Sequence, residues 1–111
     1  MGHTTPEKKV QNKIIKYLQS IDYKHRGPLM RVRRNSDEPN YVEGSADIYV
    51  VINGVHIEIE IKRPGGERST AQIRWERICS IIGAPYLVTD NVEDVIKIVN
   101  KYAKEKDTSN Q

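Results

Sequence analysis

The sequence holds a single cysteine, Cys79, which excludes an intramolecular disulfide and suits a reducing compartment. Cys79 falls in an apolar helical stretch, where a small core residue is the plain reading. No apolar run is long enough for a membrane span, and the opening residues carry no signal-peptide pattern, so a cytoplasmic protein is expected. There is no zinc-ligand spacing, no nucleotide-binding glycine motif and no Ser-His-Asp arrangement. Those absences remove zinc-module, nucleotide-binding and serine-hydrolase readings. Internal repeats and low-complexity segments are also missing. What remains is a chain of 111 residues, enough for one hydrophobic core but not two, with 30% charged residues and a formal net charge of +3. The positive balance leans mildly toward polyanionic partners.

The stretch Asp47-Ile-Tyr-Val-Val-Ile52, then Asn53-Gly54, then Val55-His-Ile-Glu-Ile-Glu-Ile61 reads as a hairpin. β-Branched residues mark the strands, and Asn-Gly favours a two-residue type I′ turn because both central positions need positive φ. Such a loop sets the register: Ile52 faces Val55, Val50 faces Ile57, Tyr49 faces Glu58, Ile48 faces Ile59, and Asp47 faces Glu60. One surface is then wholly aliphatic and must be core. The other carries Asp47, Tyr49, Val51, His56, Glu58, Glu60 and Lys62, and is expected to lie open to something polar. Directly opposed carboxylates destabilise a sheet, so the Asp47–Glu60 pair calls for compensation. Lys62, one side-chain step beyond Glu60, supplies part of it as a salt bridge on a solvated face. A divalent cation between the carboxylates would supply more, since hard cations bind carboxylate oxygens. The facing acids with an adjacent lysine favour the metal reading. Glu58 and His56 share this face and are read first as partners of nearby basic residues.

The rest of the chain supplies a scaffold. Thr5 caps, and Pro6 opens, an amphipathic helix over 6–21, with Val10, Ile14, Leu18 and Ile21 at helical spacing. Glu7 lies on its inward side, although complementing the helix dipole would account for it alone. Residues 29–34 alternate as a strand, with Met30 and Val32 inward and Arg31 and Arg33 outward; 35–45 read as loop. A second helix runs from 70 to 82, bounded by a Ser69/Gln72 capping box and by Gly83, with Ile73, Ile78, Cys79 and Ile82 as its apolar face. A short buried strand over 84–89 follows. Asp90 then caps a last helix over 91–105. The order α-β-β-β-α-β-α predicts an α+β domain over residues 1–106, with a mixed central sheet flanked by helices on both faces. The polar tail, 107–111, is expected to be disordered.

In this order the residues resemble the PD-(D/E)XK nuclease superfamily, and within it the stand-alone form of the virus-type replication-repair nuclease (VRR-NUC) domain. The resemblance runs from Glu7 to about Val99. Gly44-Ser45-Ala46-Asp47 is similar to that family's Gly-x-Pro-Asp, with Ala46 in place of proline, and Glu60-Ile61-Lys62 to its Glu-x-Lys. The loop Lys62–Ser69 followed by Gln72 is similar to its glycine-containing stretch before a helical glutamine, and Glu7 to its first-helix acid. A lone Asp…Glu-x-Lys is weak; the combination is far more specific.

The resemblance implies a Mg²⁺- or Mn²⁺-dependent endonuclease acting on DNA. Asp47, Glu60 and the backbone carbonyl of Ile61 would hold the ion, with Glu7 direct or through water. Lys62 would orient the attacking water or stabilise charge on the phosphate. Gln72 would hold a water or backbone group, with its capping role an equal alternative. Arg31, Arg33, Arg63, Arg68 and Arg74 are candidates for phosphate contacts. The resemblance further implies branched, four-way DNA as substrate and a symmetric homodimer. Two alternatives stand beside it: a flap or single-strand nuclease, and a non-catalytic nucleic-acid-binding module on the same fold.

Overall fold

A computed structural model describes residues 5–25, 30–63 and 65–109. Helix α1 (Pro6–His25) leads to strand β1 (Met30–Arg34) and a 3-10 turn (Asn35–Asp37). The hairpin strands β2 (Ile48–Ile52) and β3 (Val55–Ile61) follow, then α2 (Thr70–Ile82), β4 (Tyr86–Thr89) and α3 (Val92–Ser109). The strands form one sheet in the order β1-β2-β3-β4. β1, β2 and β3 pair antiparallel, while β4 joins β3 in parallel through the α2 crossover, which makes the sheet mixed as expected.

The hairpin has the expected register, from Ile52 opposite Val55 to Ile48 opposite Ile59. Asn53 and Gly54 take φ of 51° and 84°, the doubly positive turn that Asn-Gly permits. Its aliphatic face is the core: Ile48, Val50, Ile52, Ile57, Ile59 and Ile61 pack against Ile14, Ile15 and Leu18 of α1 and Val95 and Val99 of α3. Full burial of one such side chain stabilises by about 1.5–3 kcal/mol, so this stripe drives the fold.

Helix ends follow local chemistry. The Thr5 hydroxyl accepts the Lys8 N–H at 3.1 Å. The Ser69/Gln72 box forms in both directions, and Gly83 closes α2 in the left-handed region at φ 80°. Helix α3 differs: its cap is Asn91, not Asp90, with Asn91 Oδ1 accepting the Asp94 N–H at 2.9 Å. Thr89 holds that turn by donating to Asp94 at 2.8 Å. Both terminal helices run past their expected ends, to His25 and Ser109. No glycine or proline interrupts either extension, and residues 101–106 are mostly strong helix formers.

Three expectations are corrected. β4 is not buried: it is an edge strand in which only Thr89 is fully covered. The acidic face is not open, because α2 lies on it and Glu58 and Glu60 are 2% and 1% exposed. And α2 does not bury its isoleucines. Ile73, Ile78, Ile81 and Ile82 are all exposed, while Cys79 is buried and Trp75 and Glu76 turn toward the sheet. The buried carboxylates beneath need hydrogen-bond donors, and an aliphatic helix face has none to offer.

Candidate active site at the end of the hairpin

Alternation along β3 sends Glu58 and Glu60 to the face under α2, with Lys62 half-buried just beyond the strand. Asp47 immediately precedes β2. The paired register ends at Ile48 opposite Ile59, and Asp47 Oδ2 accepts the backbone N–H of Ile61 at 2.8 Å. Its own carbonyl accepts the Asn35 N–H at 3.1 Å, which ties the loop after β1 to the start of β2. In an extended strand the N–H and C=O of one residue leave on the same side, so the Ile61 carbonyl is presented toward Asp47.

A cavity of about 190 Å³ opens here, lined by Thr5, Glu7, Lys8, Gln11, Asp47 and Ile61. Glu7 reaches it from the first turn of α1 and accepts the Arg63 N–H at a long 3.4 Å. Burial pushes the Asp47 carboxyl above its ordinary value of 3.8; the Ile61 N–H pulls it back, Glu60 and Glu7 raise it further, and Lys62 lowers it. Three other candidate residues thus act electrostatically on Asp47 at the end of β3.

Glu60 itself is clamped. Arg68 Nε donates to its Oε2 at 2.9 Å and the Tyr86 hydroxyl donates to its Oε1. Arg68 is held in turn by Glu76 of α2 at 2.6 Å, and its guanidinium lies 5.7 Å from the Tyr86 ring centre. Burial and the Glu60 charge push the Tyr86 hydroxyl well above its usual range. Arg68, a candidate phosphate contact, is directed into the protein.

Glu58 and His56 pair with each other, at 2.5 Å, rather than with basic neighbours. Trp75 Nε1 and Asn35 Nδ2 also donate to Glu58, at 2.8 and 3.2 Å, and the His56 ring stacks on Tyr49. The buried carboxylate is thereby satisfied without a metal or an arginine.

The other candidates are scattered. Gln72 Oε1 accepts the Ser69 N–H at 2.7 Å, the capping role. Arg33 pairs with Glu38 at 3.2 Å, and Arg63 and Arg74 are exposed. Arg31 lies on β1, with its side chain outside the described residues. Arg34, which sequence reasoning passed over, bonds Gln11 and Asn12 of α1 at 3.1 and 2.8 Å. Tyr86, Glu76 and Trp75 were passed over too. The available signal was the parallel register, which places Tyr86 opposite Glu58 and Val88 opposite Glu60. A long crossover fixes no register, unlike a two-residue turn.

The donor set is all oxygen: the Glu7, Asp47 and Glu60 carboxylates and the Ile61 carbonyl. That chemistry fits a hard divalent cation. Among the described residues, no three His, Cys, Asp or Glu side chains converge closely enough to hold an ion as they stand. Glu60, turned toward Arg68 and Tyr86, is absent from the cavity lining.

No family model matches the chain, and no curated protein matches it. Among solved structures it is similar to one described as a VRR_NUC domain, at 21% identity and a TM-score of 0.67, over 88% of this chain and 98% of that one. At that identity the likeness establishes the fold: this chain has the α+β fold of a VRR_NUC domain, a mixed four-stranded sheet flanked by three helices.

Proposed function

We propose that the chain is a Mg²⁺- or Mn²⁺-dependent endonuclease that hydrolyses DNA phosphodiester bonds at the end of β3. The observation that carries this reading is the grouping of Glu7, Asp47, Glu60 and Lys62 at the end of β3, where burial raises the Asp47 carboxyl, the Ile61 N–H lowers it, Glu60 and Glu7 raise it further and Lys62 lowers it. Ionised Asp47, half-buried and sharing the cavity with Glu7, carries a cost that a bound cation would relieve. Glu7, Asp47, Glu60 and the Ile61 carbonyl would hold that cation, which supplies a bound water of lowered pKa and a counter-charge for the phosphate. Lys62, as an ammonium, donates rather than accepts a proton, and its place is beside the charge that develops on the phosphate. Arg63 and Arg74, both exposed, are the candidates we keep for contacts to the DNA backbone. Gln72 keeps its helix-capping role.

The finer reading is a structure-selective enzyme: four-way or otherwise branched DNA, cut by a two-fold homodimer with little sequence preference, in the cytoplasm. Among the described residues no helix is long and apolar enough to cross a membrane. One observation favours the non-catalytic alternative, a nucleic-acid-binding module, namely that Glu60 is already fully engaged by Arg68 and Tyr86.

Incubating the protein with labelled linear, flap and four-way DNA in Mg²⁺, Mn²⁺ or EDTA separates the readings. Cleavage with either ion and none in EDTA supports the nuclease, and the substrate ranking tests branch selectivity. Binding without cleavage under every condition points to the non-catalytic module.

A further inference from the structure

Glu60 is 1% exposed, and both of its carboxylate oxygens carry a donor that is itself anchored. Arg68 is tied to α2 through Glu76 at 2.6 Å, and Tyr86 projects from β4, the strand paired with β3. Two elements thus converge on one side chain and turn it away from the cavity that Glu7, Asp47 and Ile61 line. A core that only needed to neutralise Glu60 could have used the arginine alone. The added tyrosine contributes no charge; it satisfies the second oxygen and fixes the direction of the carboxylate.

We propose that Tyr86 and Arg68 are positioning residues that hold the Glu60 carboxylate away from the Glu7–Asp47 cavity, and that loading a divalent cation draws Glu60 off them. The inference rests on the metal-dependent reading above. Arg68 keeps its Glu76 partner when Glu60 leaves, so the guanidinium is never stranded. The Tyr86 hydroxyl loses its acceptor, and that loss is the resistance the cation must overcome. Apparent affinity is the intrinsic affinity reduced by the fraction of molecules in which Glu60 is available.

The test is the Tyr86→Phe variant, which keeps the ring and removes the hydroxyl. Mn²⁺ binding, followed by isothermal titration, should tighten roughly 10- to 100-fold, since a hydrogen bond to a charged acceptor opposes it in the wild type. The melting temperature in EDTA should fall at the same time. A purely structural tyrosine would make both fall, so the opposed directions identify the role. A second measurement needs no stability comparison. Mg²⁺ titration of the wild type should produce a saturable tyrosine difference spectrum that Tyr86→Phe lacks, although the chain has six tyrosines. Equal or weaker Mn²⁺ affinity in Tyr86→Phe, with the wild type binding Mn²⁺ normally, overturns the positioning role and leaves the metal-dependent reading standing. No Mn²⁺ binding by either protein overturns both.

Discussion

The backbone N–H of Ile61 donates to the Asp47 carboxylate at 2.8 Å, so the last residue of β3 is bonded to the residue just before β2. One side chain therefore closes the hairpin and lines the candidate metal cavity. The two duties have opposite electrostatic consequences.

Burial above all holds the Asp47 carboxyl above its ordinary value of 3.8 in the folded chain; the Ile61 N–H pulls it back, Glu60 and Glu7 raise it again, and Lys62 lowers it slightly. A raised folded pKa favours the protonated form. Ionised Asp47 therefore costs stability at neutral pH, and the cost is gone once pH falls below the unfolded value. Asp47→Asn keeps an acceptor for Ile61 and removes the charge. In EDTA at pH 7 it should be more stable than wild type by roughly 0.2–1 kcal/mol, the scale of a like-charge cross-strand pair. The difference should narrow as pH approaches 3.8. Mn²⁺ should raise the melting temperature of the wild type by mass action and that of Asp47→Asn much less. Equal Mn²⁺ responses in the two proteins would count against the site.

Gly44 sits at φ +91°, and a Cβ there would meet the backbone and Cβ of Ala71, the second residue of α2, at 2.6–2.7 Å. The close approach brings the loop before Asp47 under the start of α2. Gly44→Ala should cost about 2–4 kcal/mol, from left-handed strain plus overpacking. Adding Ala71→Gly removes only the Cβ contact, so it should recover little, because the Ala71 backbone carbon and oxygen still lie at 2.6 and 2.7 Å. Denaturant titration of both variants checks this, and a neutral Gly44→Ala would contradict it.

Gln72 offers a separation of roles. Its side chain accepts the Ser69 N–H, and its backbone N–H donates to the Ser69 hydroxyl at 3.1 Å. Gln72→Glu preserves the box and should match wild type in stability and cleavage. Gln72→Ala should lose about 0.5–1 kcal/mol of stability. Its cleavage should match wild type well below the melting temperature. A cleavage defect in Gln72→Ala at unchanged fold would return Gln72 to the chemistry.

Much of this architecture is legible in the chain. Asn53-Gly54 dictates the hairpin register, and from it follow the aliphatic face and the positions of Glu58, Glu60 and Lys62. Ser69, Gln72 and Gly83 mark both ends of α2. What could not be read is how α2 sits. Apolar spacing argues for burying Ile73, Ile78 and Ile82, yet all three are exposed, because the surface beneath holds carboxylates that need Trp75, Arg68 and Tyr86 as donors. That demand arises only after the sheet has formed. The parallel register that brings Tyr86 beside β3 is likewise a tertiary result, so the clamp on Glu60 has no local sign. Arg68 illustrates the consequence: a lone basic residue in a glycine loop reads as a phosphate contact until its two carboxylate partners are known.

If the paired-site reading holds, light scattering at micromolar concentration should give about twice the 12.8 kDa chain mass. Four-way DNA should outcompete linear duplex at moderate salt, and binding to both should weaken as salt rises. A monomer both free and on four-way DNA would exclude the two-fold model and leave the nuclease reading intact.

Lys62 tests the central claim most directly, because its charge is assigned to the transition state rather than to binding. The measurement is a side-by-side comparison of wild type and Lys62→Ala on four-way DNA, with affinity read in EDTA and single-turnover cleavage read in Mn²⁺. Affinity should stay near wild type while the cleavage rate falls about 10²–10³-fold, the loss typical of removing one donor that stabilises developing charge. A Lys62→Ala protein that cleaves at the wild-type rate would contradict the account.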